Sequence, residues 1–282
     1  STKILYKRRI GKKINLKNPK NFNEKIQWLK LNVYPKNDIY TICADKFLVR
    51  DYVKKCGCEE ILNELYGVWD EADQIDWNKL PNKFVLKWNF GCGHNFICHN
   101  KSDFNESEIK KMLNTWKKNN FYLKSSELHY RKINKKIICE KNLSIEKDKM
   151  IDDYKFYCFN NQVYCVMICI GREKGKPNFY FMDKDWKLLK INQDGINIKG
   201  KHKISKPKNI EKMFEYAEKL CKGFPFVRVD LYNIDGKIVF GELTFTPSAG
   251  LDTGYTEEGN VLLGEKLIIE RTDYENSWFY KK

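Results

Sequence analysis

Long hydrophobic runs are missing from this sequence. No segment holds roughly 18 consecutive uncharged apolar residues, the length that a membrane-spanning helix needs, so no transmembrane helix is expected. The basic opening segment STKILYKRRIGKKINLK has no apolar stretch and no small-residue cleavage site, so it does not read as a secretory signal. Internal repeats, low-complexity linkers and heptads are also absent, which excludes repeat arrays and coiled coils.

Several catalytic and metal-binding patterns are missing as well. The chain has no GxxxxGK[ST] phosphate loop, no GxGxxG before a helix and no paired CxxC or HxxxH motifs. A chain of this size needs no disulfides to hold a core, so we interpret its 10 cysteines as reduced thiols of a cytoplasmic protein. We expect these thiols to pack in the interior rather than to act as nucleophiles.

The composition describes a folded, basic protein. The 282 residues are 42% hydrophobic, 14% aromatic and 32% charged, which excludes disorder and allows one large domain or two to three subdomains. Lys and Arg number 52 against 37 Asp and Glu, a net charge of +15 that attracts anions. Because lysine is spread along the whole chain, this charge does not select among nucleotides, nucleic acid, anionic membrane and acidic polysaccharide.

Hydrophobic periodicity predicts the order of the secondary structure. Helices are expected at about 23–31 and 44–55, followed by a small strand-rich section with one helix near 105–116. A larger section of mostly antiparallel strands follows, with one long helix at about 210–220 and a final hairpin. This order predicts an α+β fold.

The final hairpin, FVRVDLYNIDGKIVFGELTF, carries acids in strands that otherwise form core, and buried acids need partners. A two-residue Asp-Gly turn sets Asp230 opposite Gly241 and sends Glu242 to the other face. A three-residue loop that includes the preceding Ile places Arg228 opposite Glu242, with Asp230 diagonal to it on the same face. In that register the oxygen ligands suit Mg²⁺ that also holds substrate phosphates. A plain Arg228–Glu242 ion pair is the alternative.

Two further segments offer polar groups at strand ends. Lys87 precedes GCGHN, in which Gly91 and Gly93 present backbone N–H groups beside one cation, a pattern that suits polyphosphate. The apolar strand IICEKNL ends in Glu140 and Lys141, which suits the edge of an adenine and its ribose. As alternatives, the glycine loop only connects two strands of a hairpin, and IICEKNL is only a strand that leaves the core. A zinc site is an alternative that the alternating strand pattern of this segment disfavours. Its ligands would be Cys92, His94, Cys98 and His99.

Taken in order, these segments resemble the TupA-like branch of the ATP-grasp superfamily, which is named for a teichuronopeptide biosynthesis protein. The resemblance covers about residues 22–255 and includes FNEKIQWLKL, ADKFLVRDYV, LYGVWD, LPNKFVLKWNFGCG, IICEKNL, DYKFYCFN and GFPFVRVDLYNIDGKIVFGELTFTPSAG. The last segment is the most specific, because an arginine and an acid on one strand and an acid on the next form the magnesium signature of that fold. The resemblance implies an ATP-grasp fold with a helical N-terminal section (1–80), a small lid (81–150) and a larger antiparallel-sheet section (151–282).

The resemblance also implies roles for individual residues, with ATP between the lid and the C-terminal section and Mg²⁺ beside it. Asp230 and Glu242 are the implied metal ligands. The implied nucleotide contacts are Lys46, Lys87, Gly91, Gly93, Asn95, Glu140, Lys141, Leu143 and Asp153. The implied catalytic residues are Arg228, Lys155 and Arg172. Thr244 stands where many ATP-grasp enzymes have an Asn, so a third metal ligand is not assigned. The basic residues for which both substrate contact and solvent exposure stay open are His129, Arg131 and Arg172.

The activity implied by the resemblance is ATP-dependent carboxylate–amine ligation through an acyl phosphate. The implied partners are a small-molecule amine and a carboxylate-bearing sugar or sugar nucleotide, in the synthesis of a capsule or teichuronopeptide-type surface polysaccharide, with no nucleic acid. Two alternatives stay open. One is a kinase of the same fold that phosphorylates a sugar or glycan hydroxyl. The other is a basic binding module without catalysis, whose affinity would fall steeply with salt and which leaves the hairpin acids unexplained.

Overall fold

The computed structural model describes residues 2–144, 151–171, 175, 177–198 and 204–269. Its helices are α1 (Thr2–Ile10), α2 (Phe22–Asn32), α3 (Asp38–Ala44), α4 (Val49–Lys55), α5 (Glu106–Lys117), α6 (Phe121–Ser125), α7 (Gln193–Asn197), α8 (Ile210–Leu220) and α9 (Glu257–Lys266). Its strands are β1 (Leu65–Trp69), β2 (Phe84–Trp88), β3 (Asn95–Cys98), β4 (Ile137–Lys141), β5 (Asp152–Phe159), β6 (Gln162–Ile170), β7 (Asn178–Met182), β8 (Leu188–Leu189), β9 (Phe226–Ile234) and β10 (Lys237–Thr244).

The smaller sheet, sheet A, has four antiparallel strands in the order β1-β4-β2-β3. Phe84, Leu86 and Trp88 of β2 are buried and alternate with half-exposed residues, the period-two pattern of a strand with one face in a core. Helix α5 covers that face, where the Trp88 indole N–H donates to the Leu113 carbonyl at 3.0 Å. The alternate residues of β2 point the other way and remain available for a site.

The larger sheet, sheet B, has six antiparallel strands in the order β10-β9-β5-β6-β7-β8. Strands β5 and β6 are joined by Asn160 and Asn161, whose φ angles of 46° and 70° belong to the tight turns that match strand twist. Helix α8 covers one face of sheet B, with the Phe214 ring edge-on to Phe156 at a centroid distance of 5.1 Å. The other face of β5 and β9 therefore looks away from α8.

Helix α2 packs against that other face and joins it to α9. The Phe22 ring contacts three aromatic rings of sheet B and lies closest to Phe226, at 4.9 Å between centroids. The Lys25 ammonium donates to the carbonyls of Gly264 and Leu267 at the end of α9, each at 2.7 Å. Elements from the two ends of the described chain thus form one layer over sheet B.

Helices with two antiparallel sheets confirm the predicted α+β class. Sheet A takes its edge strand β1 from before residue 81, where the resemblance implies that the lid begins. The division into domains remains a prediction. All ten cysteines lie among the described residues, and none of them forms a disulfide. None of the described helices has both the length and the apolar content to cross a bilayer.

One helix begins later than its pattern predicts. The sequence predicts a helix over about 44–55, whereas α4 starts at Val49. Asp45 Oδ1 accepts hydrogen bonds from the N–H groups two and three residues later, at 2.8 and 3.2 Å, and so replaces the first helical turn with a side-chain turn. The Lys46 N–H donates to the Asn89 carbonyl at 2.9 Å. Lys46 is thereby held beside the loop that follows β2.

Candidate active site

Five charged side chains meet on the face of sheet B that looks away from α8, and we call them the charged floor: Asp153, Lys155, Arg228, Asp230 and Glu242. In the strand ladder, Lys155 and Glu242 flank Asp230 on either side. The Arg228 Nε and Nη2 donate to the two carboxylate oxygens of Asp230, each at 2.7 Å. The Lys155 ammonium donates to Asp230 Oδ2 at 3.0 Å and also contacts Asp153. Glu242 Oε1 lies 3.7 Å from Arg228 Nη2.

A β-bulge brings the two hairpin acids to one face. The turn has two residues, Asp235 and Gly236, with φ of 51° and 95°, so the three-residue loop considered from the sequence is wrong. A regular ladder from this turn pairs Asp230 with Gly241, but the bulge skips Gly241 and pairs Asp230 with Glu242. A Cβ on Gly241 would lie 2.9 Å from the Asp230 carbonyl oxygen, so the close approach requires glycine.

Burial and neighbouring charge act in opposite directions on these acids. Burial raises the pKa of Asp230 above its ordinary value, although Arg228 and Lys155 oppose the rise. Burial also raises the pKa of Glu242, but Lys46, followed by the two floor cations, outweighs it and leaves that pKa below its ordinary value. The Glu242 side chain is 40% exposed against 5% for Asp230. Glu242 is therefore the more accessible of the two hairpin acids, and its surroundings favour the ionised form.

Thr244 occupies the position two residues beyond Glu242. It is Thr244, and not Glu242, that pairs with Arg228 across the ladder, because the bulge shifts the register. The Thr244 hydroxyl accepts from Arg228 Nη2 and donates to Glu242 Oε1, both at 3.1 Å. Thr244 thus orients the guanidinium and the accessible acid toward each other.

A cavity of about 290 Å³ opens between sheets A and B beside the floor, and we call it the interlayer cavity. On its lining, the Lys87 ammonium lies 2.6 Å from Glu140 Oε2. Arg50, which is not a lining residue, holds the same carboxylate, with Nη1 3.4 Å from Oε1. The sequence-predicted nucleotide contacts that line the cavity are Lys87, Asn95, Glu140, Lys141 and Leu143. Tyr232 and Phe240 form its wall on sheet B. A slot between two sheets with charged groups at one strand end has the form of a site for a flat base and its sugar.

Lys46 contacts the glycine loop and acts electrostatically on Glu242 of the charged floor. Gly91 and Gly93 of this loop have φ of 69° and 77°, which glycine adopts without strain. The Lys46 ammonium donates to the Gly91 carbonyl. Among the neighbouring charges, the Lys46 ammonium has the largest effect in lowering the pKa of Glu242. Burial lowers the pKa of Lys46 itself, and the negative charge of Glu242 opposes this effect only in part. The predicted phosphate loop and the predicted metal acid therefore share one cation.

Two predicted site residues and the zinc alternative do not belong to the interlayer cavity as the structure describes it. Asp153 is not among the residues that line the interlayer cavity, since it contacts Lys155 on the floor. Arg172 lies outside the described residues. The zinc alternative is not supported within the described part of the chain, where no group of three His, Cys, Asp or Glu residues could hold a metal and Cys98 is buried while Cys92 is exposed.

Sequence reasoning missed the loop that follows β10. Ser248, Ala249 and Gly250 have φ angles of 49°, 57° and 69°, three successive left-handed conformations, of which the first two strain their side chains. Strained backbone of this kind persists only where the surroundings hold it, and it clusters at ligand sites. The only sequence signal is the TPSAG segment directly after the acidic strand.

Both interpretations that the sequence left open for His129, substrate contact and solvent exposure, are wrong, because the residue is buried in the core. Its side chain is buried, and its ring packs on Tyr130, Tyr34 and Phe245 at centroid distances of 4.3, 5.8 and 6.3 Å. No hydrogen-bond partner for either ring nitrogen exists among the described residues. Burial, with a smaller effect of Lys30, lowers the pKa of His129 to about 3.

We predict that His129→Phe removes a pH-dependent loss of stability. Because the folded pKa of about 3 lies below the ordinary 6.5, the stability from neutral His129 is complete above pH 6.5 and is lost as the pH falls toward 3. At about 1.4 kcal/mol per pH unit, the variant should gain roughly 2 kcal/mol over the parent between pH 8 and pH 5. Urea unfolding at both pH values measures this, and an equal difference at the two would contradict it.

A family model described as TupA-like ATPgrasp matches residues 24–268. No curated protein matches the chain. Among solved structures, a D-alanine–D-alanine ligase from Bacillus anthracis has a TM-score of 0.47 at 15% identity, with 79% of this chain and 63% of that one covered. An L-amino acid ligase from Bacillus licheniformis has a TM-score of 0.47 at 11% identity, with 81% and 50% covered. The chain thus spans less than two thirds of the length of either enzyme.

Proposed function

Because the chain belongs to the TupA-like ATP-grasp family, we propose that it is an ATP-dependent ligase that joins a carboxylate to an amine through an acyl phosphate. The observation that carries the proposal is the charged floor, where acids and cations share one face of sheet B beside the interlayer cavity. Phosphoryl transfer depends on positioning and charge neutralisation more than on a side-chain nucleophile. The floor has the groups for that task.

In this proposal ATP lies in the interlayer cavity. Glu140 and the backbone near Leu143 bind adenine and ribose at the end of β4, where Glu140 is already held by Lys87 and Arg50. The triphosphate extends toward the floor under the glycine loop, whose backbone N–H groups suit phosphate oxygens. Lys46 is then the cation that faces phosphate and Glu242 together.

The donor chemistry of the floor fits Mg²⁺. Glu242 offers a partly exposed carboxylate. Asp230 keeps acceptor capacity on Oδ1, which accepts one hydrogen bond from Arg228, whereas Oδ2 already accepts from both Arg228 and Lys155. These two residues would hold the ion, with phosphate oxygens and water as its other ligands. When bound, magnesium neutralises phosphate charge and polarises the transferred group.

The proposed reaction has two steps that the floor cations serve. A substrate carboxylate oxygen attacks the γ-phosphorus and ADP leaves. The amine loses its ammonium proton to solvent, and the neutral nitrogen attacks the acyl carbon. The carbon–oxygen bond to phosphate then breaks, phosphate leaves, and the nitrogen gives a second proton to solvent as the amide forms. Arg228 and Lys155 stabilise the negative charge that spreads over the phosphoryl oxygens. Their pairing with Asp230 fixes both cations before substrate arrives.

We further propose that the substrates are an amino acid or amine and a uronic acid or amino sugar, in the synthesis of a capsule or teichuronopeptide-type surface polysaccharide. The TupA-like family name and the net charge of +15, which favours acidic glycans, support this assignment. A cytoplasmic setting is part of the proposal, because the reaction consumes ATP and the ten cysteines are thiols.

A substrate screen tests the proposal. Amines and amino acids are combined with carboxylate-bearing sugars and sugar nucleotides, and both ADP and free phosphate are measured. Ligation predicts one phosphate per ADP, with both products dependent on the amine. A stable phosphorylated sugar that forms without amine would instead identify a kinase and overturn the ligase assignment.

A further inference from the structure

A second cavity, of about 330 Å³, adjoins Lys155 and Arg228 on the side away from the interlayer cavity, and we call it the aromatic cavity. The rings that line it are Tyr157, Phe179, Phe181 and Tyr255. Their arrangement is fixed by a hydrogen bond of 3.0 Å between the Tyr157 and Tyr255 hydroxyls and by packing of Phe181 on Tyr157. The volume suits one small molecule.

Helix α2 holds the loop that closes this cavity. Asn23, Gln27 and Lys30, each buried, form a polar stripe along α2 and face the backbone of residues 249–252. The Lys30 ammonium and the Gln27 amide both donate to the Ala249 carbonyl at 2.9 Å. Asn23 exchanges hydrogen bonds with the backbone of Asp252, donating at 2.8 Å and accepting at 3.3 Å. The strained loop is therefore built in place by buried side chains rather than left to solvent.

Two carboxylates stand on the lining of the aromatic cavity, at Asp194 and Asp252. Asp252 accepts from the Gly254 N–H at 2.8 Å and from the Ser248 hydroxyl at 3.1 Å, which orients it but leaves acceptor capacity on both oxygens. Asp194 accepts from the Phe179 N–H at 2.8 Å. Within the described ranges, neither carboxylate forms an ion pair, whereas Lys155 and Arg228 are each paired with Asp230.

Among the residues that the structure describes, the charge left unpaired in this cavity is therefore negative, and the walls are aromatic. Aromatic faces attract cations, and a carboxylate beside them adds a charge-assisted hydrogen bond to an ammonium group. A carboxylate ligand would instead meet two like charges. The cavity has the chemistry of an amine site.

We propose that the aromatic cavity binds the amine substrate as an ammonium ion at Asp252 and Asp194, with its carbon body against the aromatic wall. This inference rests on the proposed ligase function and names the place where the second substrate waits beside the floor. In this arrangement the two substrates bind to different groups. The carboxylate substrate contacts the floor cations, whereas the amine contacts the two aspartates and the aromatic side chains of the cavity.

Matched probes of one shape test the inference. Benzylamine, benzyl alcohol and benzoate are titrated against the protein, and binding is followed by saturation-transfer NMR on the probes. Benzylamine should bind most tightly and benzoate most weakly. Asp252→Asn should weaken benzylamine binding about tenfold, the loss of one charge-assisted hydrogen bond, and leave benzyl alcohol unchanged. Asp185→Asn, whose parent side chain is 75% exposed, is the control and should change nothing.

Several results would overturn the inference: equal or tighter binding of benzoate, benzylamine binding that survives Asp252→Asn, or no benzylamine binding at all. If Asp252→Asn does not fold, Asp194→Asn tests the other acid with the same expectation. The substrate screen is scored separately. Amine-dependent ADP formation without Asp252-dependent amine binding refutes this inference alone, whereas Asp252-dependent binding without any ADP formation refutes the ligase function and leaves an amine site.

Discussion

Glu242→Gln should lower ATP turnover about a thousandfold while the protein stays folded, because it removes the accessible charged oxygen of the floor at the point of phosphoryl transfer. The change is isosteric and keeps an oxygen that can accept from the Thr244 hydroxyl. The Glu242 side chain is 40% exposed, so little stability depends on its 3.7 Å ion pair with Arg228. Asp230→Asn should have the same effect on turnover. It should also cost stability, since Asp230 is buried and binds Arg228 through both oxygens. ADP formation at saturating magnesium, together with urea unfolding, measures both effects.

Glu218→Gln is the matched control for Glu242→Gln. Glu218 is also 40% exposed and forms an ion pair with Lys184 at 2.8 Å, but it lies on α8, on the opposite face of sheet B. Its variant should turn over ATP at the parental rate. A Glu242→Gln enzyme with near-normal turnover at saturating magnesium would contradict the assignment of the metal acids.

Lys155→Met should cause a loss of stability of about 3–5 kcal/mol, because it leaves Asp153 and Asp230 buried without the cation between them. The Lys155 side chain is 13% exposed, so water cannot replace its charge effectively. Magnesium should restore part of this stability, since a divalent ion at Asp230 and Glu242 supplies the missing positive charge and binds only the folded state. Urea unfolding with and without magnesium measures the loss and the recovery.

Lys184→Met controls for the loss of a lysine. Lys184 is 58% exposed and pairs with Glu218 on the surface, so its removal should cost less than about 1 kcal/mol. Equal stabilities of the Lys155 and Lys184 variants would show that the floor carboxylates do not depend on Lys155. If magnesium stabilised Lys155→Met no more than it stabilises the parent, the proposal that magnesium replaces the lost positive charge would be wrong.

The residues of the hairpin site were predictable, but their register was not. Asp230 and Glu242 stand out because acids interrupt strands that otherwise read as core, and such positions need a partner. Gly241 fits a regular ladder as well as a bulge, since it has no side chain to favour either face. The choice depends on how β9 and β10 twist against their neighbours, which no local pattern records.

The cavities were predictable only from one side. Lys87 and Glu140 stand at strand ends, so the polar edge of sheet A follows from the sequence. Tyr232 and Phe240, on the facing wall, have the pattern of ordinary strand residues and gain their role only when the two sheets come together. Arg50 looks like a surface residue of a helix until α4 places it against Glu140, 90 residues away along the chain. Long-range assembly of this kind leaves no local signal.

Crystals grown with Mn²⁺ and a non-hydrolysable ATP analogue would locate the cation by its anomalous scattering, since manganese shares the oxygen ligands of magnesium. We expect one strong peak in contact with carboxylate oxygens of both Asp230 and Glu242, with the triphosphate on its other side and adenine in the interlayer cavity. A cation bound elsewhere, or a nucleotide outside the space between the two sheets, would contradict the proposed magnesium–ATP site.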